Sequence, residues 1–242
     1  MESIKTRAVV ARRTDYAESN CMLTLFAEEL GVISACAYGI KGKKSRLRAV
    51  AQPLCFAEFV LVKGGGDIYR VEAADIIEAF YPISEDIEKL ALANYFIELS
   101  GDNFSAADGR ILSLLLNTLY ALAYKETESL VVKAVFELKM MQYSGYEPSL
   151  DACIKCGSGE SLVCFDFAGG AVCADCAKDF NKKLSADTRA CIKYILNADI
   201  KKLFSFTLSK ESQKNLSDIC ESYLLSKSEK HYKSLEYYKK IK

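Results

Sequence analysis

TRAVVARRTDYAESNCMLTLFAEELGVISACAYGIKGKKSRLRAV, residues 6–50, breaks into short apolar runs separated by polar or glycine-bearing punctuation. IKTRAVVARR (4–13), NCMLTLFAEE (20–29) and VISACAYGI (32–40) are rich in the β-branched and aromatic residues that suit a half-buried pleated surface. RRTDYAES and LG mark the breaks between them. AQPLCFAEFVLVK (51–63) and DIYRVEAADIIEAF (67–80) repeat the pattern, with KGKKSRLR and GGG as the intervening connections. Five strands joined by one long basic connection predict a small closed barrel of the OB type, with an SH3-like barrel as the alternative.

After Tyr81-Pro82 the apolar spacing changes from period two to helical, which places a domain boundary there: a barrel over 1–80 and a helical domain over 81–242. SEDIEKLALANYFIELS (84–100) offers Ser84 as an N-cap and sets Ile87, Leu90, Ala91, Asn94 and Ile97 on one face. RILSLLLNTLYALAYK (110–125) and SLVVKAVFELKMMQYSG (129–145) are apolar around most of their circumference. They read as the central helices of a bundle, with Gly145 as the second one's stop. Helical patterns resume over 185–197 and 209–226. The lysine-rich tail KSEKHYKSLEYYKKIK (227–242) reads as a frayed, solvated helix end.

Between these helices lies CIKCGSGESLVCFDFAGGAVCADC (153–176), two Cys-x-x-Cys pairs with sixteen residues between their inner members. A redox couple needs one such pair, whereas four thiols in this spacing suit a tetrahedral metal site. The expected ligands are Cys153, Cys156, Cys173 and Cys176, the expected ion is Zn2+, and the expected role is structural, because four thiolates leave no open position for water or substrate. The module is expected over about 150–180, with LVCFDF (162–167) as a hairpin strand and Cys164 as a packed thiol within it. The five remaining cysteines, Cys21, Cys36, Cys55, Cys191 and Cys220, sit singly in apolar runs and read as small buried hydrophobes.

Half of the 242 residues are apolar, enough to bury a sizeable core, and no apolar run is long enough to cross a bilayer. With no signal-peptide core at the N-terminus, the chain reads as a soluble cytoplasmic protein. Its 32 basic and 32 acidic residues cancel overall but not locally. No acid occurs from Leu30 to Ala57, a stretch that contains Lys41, Lys43, Lys44, Arg46 and Arg48, whereas residues 81–152 carry eleven acids against five bases. An acid-free basic connection on a barrel of a ligand-binding type points to a polyanion, with Arg12, Arg13, Tyr16, Tyr38, Phe56 and Tyr69 nearby to supply further charge and stacking faces. The bland readings are a solvated loop for the bases and sheet packing for Phe56 and Tyr69.

The run from Thr6 to Leu61 also resembles the N-terminus of the RecO family of bacterial recombination mediators. The likeness lies in the R-x-D-Y-x-E-S turn at 13–19, LTLFAEELG at 23–31, a glycine-centred basic loop with S-R-L-R at 45–48, and Q-P before the next strand. A four-cysteine insertion after a block of helices matches the zinc-bearing members of the family. The resemblance implies a non-enzymatic protein that binds single- and double-stranded DNA and anneals complementary strands. It also implies that the protein joins RecR through the N-terminal domain, contacts the C-terminal tail of SSB through the helical domain, and so helps to load RecA, in the bacterial cytoplasm at the nucleoid. Phosphate contact then falls to Lys41, Lys43, Lys44, Arg46 and Arg48, with Arg12 and Arg13 second and Tyr38 as a stacking face. Two rival classes stand beside it. A zinc hydrolase or deaminase needs an open metal position and a general base, yet the one histidine is His231 in the tail. An RNA-binding protein with an OB barrel and a zinc module is the alternative binding reading.

Overall fold

The computed structural model describes residues 3–16, 18–40, 42, 47–64, 66–102, 109–178, 182–228 and 230–242. The chain divides into two compact units, residues 1–116 and 117–242.

In the first unit β1 (Ser3–Tyr16), β2 (Asn20–Ala27), β3 (Gly31–Ala37), β4 (Phe56–Lys63) and β5 (Ile68–Glu78) close into a barrel in the order β1-β2-β3-β5-β4. The β3–β5 pair is parallel, and the other ladders are antiparallel. This is the expected OB architecture, in which every strand finds partners on both sides and no open sheet remains. The interior is filled from alternate positions: Leu23 and Leu25 on β2, Ile33 and Ala35 on β3, Phe59 and Leu61 on β4. α1 (Leu47–Val50) lies in the long connection from β3 to β4, and Val50 with the following Ala51 enters the same core.

The transition out of the barrel is more angular than the sequence suggests. Phe80 adopts a left-handed backbone (φ 49°, ψ 40°) with its ring buried, and a Glu78 carboxylate oxygen accepts the N–H groups of both Ala79 and Phe80. A one-turn helix, α2 (Tyr81–Ser84), follows. α3 (Ile87–Gly101) is therefore capped not by Ser84 but by Asp86, whose carboxylate accepts the N–H groups of Glu88 and Lys89. The buried face shifts with the cap: Ala91, Leu92, Tyr95, Phe96 and Leu99 are interior, while Ile87 and Asn94 are exposed. α4 (Gly109–Tyr124) runs across the division between the two units.

The second unit is built on α5 (Ser129–Tyr143), every residue of which from Val131 to Met141 is buried. It ends as expected at Gly145 (φ 84°), with Tyr146 N–H donating to Met141 O and Gly145 N–H to Gln142 O, a Schellman stop that needs a left-handed residue. α6 (Ala186–Asn197) and α7 (Lys210–Lys227) pack on it and on each other. Lys133 and Glu137 are inside despite their charge because they pair: Lys133 Nζ lies 2.9 Å from Glu137 and 2.8 Å from Glu221 of α7. The tail is a helix, α8 (Lys233–Ile241), held by the buried Tyr232, Leu235 and Tyr238 and by a Lys239–Glu221 ion pair. Its anchoring residues are spaced three apart in a segment whose lysines dominate its composition, so the amphipathic stripe was hidden by the charge.

Candidate nucleic-acid interface and metal centre

The outer face of the barrel is assembled by strand register. Met22 on β2 stands opposite Cys36 on β3, Cys36 opposite Arg70 on β5, and Arg70 opposite Val62 on β4. This row forms one wall of a groove of about 520 Å³, completed by Tyr16 at the end of β1, Tyr38 just after β3, and Lys63, Gly64 and Ile68 where β4 turns into β5. In OB barrels the face of strands two and three and the loops between strands one and two and four and five form the oligonucleotide-binding surface, and this groove occupies that position. Tyr16 and Tyr38 are 56% and 54% exposed. The Cys36 thiol holds the Tyr38 hydroxyl above the ordinary tyrosine pKa, chiefly by a hydrogen bond.

The basic connection is anchored at both ends. Ile40 is buried in the barrel core with its N–H donating to Ser19 O at 2.8 Å, and Val50 and Ala51 fix the far end. Of the expected phosphate contacts, Arg48 is exposed on α1, while Lys41, Lys43, Lys44 and Arg46 lie outside the described residues. Arg12 is exposed just past an irregularity in the β1–β2 ladder. Arg13 donates to Asp15 Oδ1 at 3.1 and 3.2 Å, so much of its charge is already matched by an acid. Phe56 and Tyr69 are partly buried; Tyr69 packs against the barrel core and also lines the groove. Met22, Lys63, Ile68 and Arg70 belong to the site and were not singled out from the sequence. Only the parallel β3–β5 pairing brings Arg70 beside Cys36, and no local pattern encodes that long-range contact.

The second site lies in the second unit. β6 (Leu162–Asp166) and β7 (Gly170–Cys173) form the expected hairpin, with β8 (Lys182–Lys183) added to the other edge of β6. Cys153 N–H donates to Ser158 O and Gly157 N–H to Cys153 O, which curls the first cysteine pair into a tight turn. The 3-10 turn Ala174–Cys176 curls the second. The result brings the sulfurs of Cys153, Cys156, Cys173 and Cys176 within 4.8 Å of one another. Cys156 Sγ and Cys173 Sγ, one from each pair, are 3.7 Å apart. A tetrahedron of sulfurs around an ion at ~2.3 Å has edges of ~3.8 Å, so the four thiols are close enough together to hold a metal ion. The hydrogen bond from the Cys173 backbone, with further ones from Cys156 and Lys155, pulls the Cys153 thiol down to about 6 against the opposing effect of its burial. Cys176, hydrogen-bonded to Cys156 and Cys173, is pushed up to about 12. Four thiolates so close repel, and a cation is what lets all of them ionise together. Cys164 is half-buried on β6 and stands outside the cluster, and the other five cysteines are buried, as expected.

The module is tied to the helices around it. Phe165 meets Tyr223 of α7 edge to face at 5.3 Å, Lys227 Nζ donates to Ala168 O at 3.1 Å, and Asn215 links Lys183 O to Ser185 N. His231, by contrast, is exposed near the start of α8 and pairs with Glu236 at 3.0 Å. Among the described residues no helix is long and apolar enough to cross a membrane.

Comparison with known proteins agrees with both halves of this architecture. Residues 1–80 match the family model described as Recombination protein O N terminal, and residues 84–236 match Recombination protein O C terminal. Proteins named DNA repair protein RecO from Acetivibrio thermocellus and Caldicellulosiruptor saccharolyticus are 33% and 34% identical to this chain, over all of it and over 98% and 100% of their own lengths. A third, from Clostridium perfringens strain 13, is 31% identical over the full length of both. The chain belongs to the RecO family of DNA repair proteins.

Proposed function

We propose that the protein is a non-enzymatic recombination mediator. It binds single- and double-stranded DNA, anneals complementary strands, and acts with RecR to help load RecA on SSB-coated DNA. The observations that carry this reading are an acid-free connection, residues 41–48, flanked by the core residues Ile40 and Val50, and an open aromatic groove on the same OB barrel. Annealing on such a surface needs no bond to be made or broken. Lys41, Lys43, Lys44, Arg46 and Arg48 offset repulsion between two phosphate backbones, Arg12 and Arg13 add to the field, and the bases pair by themselves.

Residues 1–80 are the nucleic-acid-binding domain and 81–242 the helical domain, with the four-cysteine module at about 150–180 braced by Zn2+. By family resemblance RecR docks on the barrel and the SSB tail on the helical domain, in the cytoplasm at the nucleoid. Strand annealing on bare and on SSB-coated DNA, with RNA as competitor, tests the proposal. Acceleration of annealing on both substrates is expected, and a preference for RNA over single-stranded DNA at equal salt would replace repair by the RNA-binding alternative.

A further inference from the structure

Of the ten cysteines, an oxidant meets first the one that combines two properties. A thiol reacts with a peroxide as its thiolate, and only where the peroxide can reach the sulfur. Burial removes five of the ten, Cys21, Cys36, Cys55, Cys191 and Cys220, and desolvation pushes the thiols of Cys55 and Cys191 up to about 11 and about 12. Cys164 is half-buried on β6 and outside the cluster. The four clustered sulfurs differ in kind, because a bound ion holds them as thiolates.

Exposure separates those four. Cys153 and Cys173 are buried, Cys176 is half-buried, and Cys156 alone among the ten is exposed. It stands in a run, Lys155 to Glu160, in which every residue is exposed, and a Cβ built on the adjoining Gly157 would meet nothing within 4 Å. Its sulfur lies 3.7 Å from that of Cys173, a member of the other cysteine pair. An oxidised Cys156 therefore has a second thiolate in position to attack it.

We propose that Cys156 is a peroxide-reactive site with Cys173 as its resolving thiol, and that oxidation of the two unloads the metal module. The Cys156 thiolate attacks one oxygen of hydrogen peroxide, the O–O bond breaks, and hydroxide departs to leave a sulfenic acid. The Cys173 thiolate then attacks that sulfur, the S–S bond forms, and a second hydroxide leaves. The two thiolates together give up two electrons, the peroxide gains both, and the sulfurs close from 3.7 Å to ~2.05 Å. Cys153 and Cys176 are too few to hold the ion by themselves, so they release it and take up protons from water. Cys21, Cys36 and Cys55 of the barrel are all buried, so the oxidant acts on the second unit and spares the first. The inference rests on the Zn2+ reading of the module and not on how the barrel binds DNA.

The test uses the full chain, purified under reducing conditions and shown by elemental analysis to carry about one zinc. Hydrogen peroxide is added in oxygen-free buffer, released metal is followed with a chromogenic chelator, and disulfides are located by peptide mass spectrometry. Metal release should keep pace with disulfide formation, and the first disulfide should join Cys156 to Cys173. Cys156→His keeps a fourth ligand that cannot form a disulfide, and should release its metal roughly tenfold more slowly. Cys164→Ser should match the parent. If Cys156→His does not retain metal, trapping of the parent's sulfenic acid with dimedone decides, and Cys156 should be labelled first. Metal kept by the parent throughout, or a first oxidation product that omits Cys156, overturns the assignment. A first disulfide from Cys156 to any thiol but Cys173 overturns the resolving role. A parent that carries no zinc at the outset sinks the metal reading itself, and so is told apart from failure of the oxidation site.

Discussion

Replacing Cys153 with serine removes one corner of the thiol cluster, and the structure predicts how far the damage spreads. Structural zinc contributes an apparent ~10–16 kcal/mol in small modules, comparable to the whole net stability of an ordinary domain, ~5–15 kcal/mol. The hairpin cannot make up that loss from a core consisting of little more than Leu162, Phe165, Ala171 and Val172. The module should unfold. Its ties to α7 then go with it: the Lys183–Asn215 hydrogen bond, the Lys227–Ala168 hydrogen bond, and the Phe165–Tyr223 ring contact. At about 1 kcal/mol for each hydrogen bond and for the ring pair, α7 loses about 3 kcal/mol of support, whereas the exposed Lys193–Asp151 pair adds little. Hydrogen exchange reads this directly. Amide protection in α7 should fall by roughly two orders of magnitude, at ~1.4 kcal/mol per decade, while β2, β3 and β4 of the barrel keep theirs. Elemental analysis of the same samples should find about one zinc in the parent and none in Cys153→Ser. Full protection of α7 in demonstrably metal-free protein would refute the idea that the metal braces the helices.

The buried charges make a second prediction. Lys133→Met leaves the carboxylates of Glu137 and Glu221 facing each other without the ammonium they share, and should cost about 3–5 kcal/mol by urea denaturation, much of it recovered by adding Glu137→Gln. The same network sets a pH dependence. Burial opposes ionisation of Glu221, but Lys133 and Lys239 hold its carboxyl below the ordinary value of ~4.3, so its contribution is present above that pH and lost as pH falls through the lower folded value. Burial likewise opposes Lys133, but Glu137 and Glu221 hold it above ~10.4, so its contribution persists below that pH and fades as pH rises through the higher folded value. The urea midpoint should therefore be flat through neutrality and fall at both ends, with shallower flanks in Lys133→Met. Gly170→Ala sets a Cβ 2.2 Å from Ser149 O and should lower both metal retention and melting temperature, whereas Gly66→Ala, with open space around it, should leave metal retention unchanged. Five phosphate contacts by the connection predict a salt slope of about −3.5 on single strands; Lys43→Glu, Lys44→Glu and Arg46→Glu together should reduce its magnitude by about 2, and an unaltered slope would move the binding face elsewhere.

What the sequence made legible follows the range of the interactions involved. The barrel strands and the metal ligands are local signals: alternation over five to ten residues, and two cysteines separated by two residues, each fold into a defined shape whatever lies far away. The start of α3 is local too, but two capping residues competed for it. Ser84 and Asp86 both suit the role, and what decides between them is Phe80, turned left-handed and held by Glu78, which uses residues 81–84 in a separate turn. That preference sits in backbone strain at one residue, invisible to apolar spacing. The paired charges of α5 were legible only in part: the helix reads as central from its apolar circumference, but that Lys133 is interior depends on Glu221, a residue of α7 eighty-eight positions away.

The two candidate sites divide along the same line, and the division bears on their chemistry. A metal site built from near neighbours in sequence can be specified by a short motif because each Cys-x-x-Cys turn aims its own two sulfurs, and folding has only to bring two turns together across one hairpin. The groove has no such motif. Arg70 reaches Cys36 through the parallel β3–β5 ladder, and Tyr16 and Tyr38, from β1 and the end of β3, line the same groove, so each residue alone looks like an ordinary strand or loop position. A basic run catches the eye because it is contiguous, but contiguity is what a phosphate-binding element needs and a base-binding one does not. Phosphates repeat along a backbone and are met by charges in series, whereas a base face is met by a cavity, and a cavity exists only once the barrel has closed.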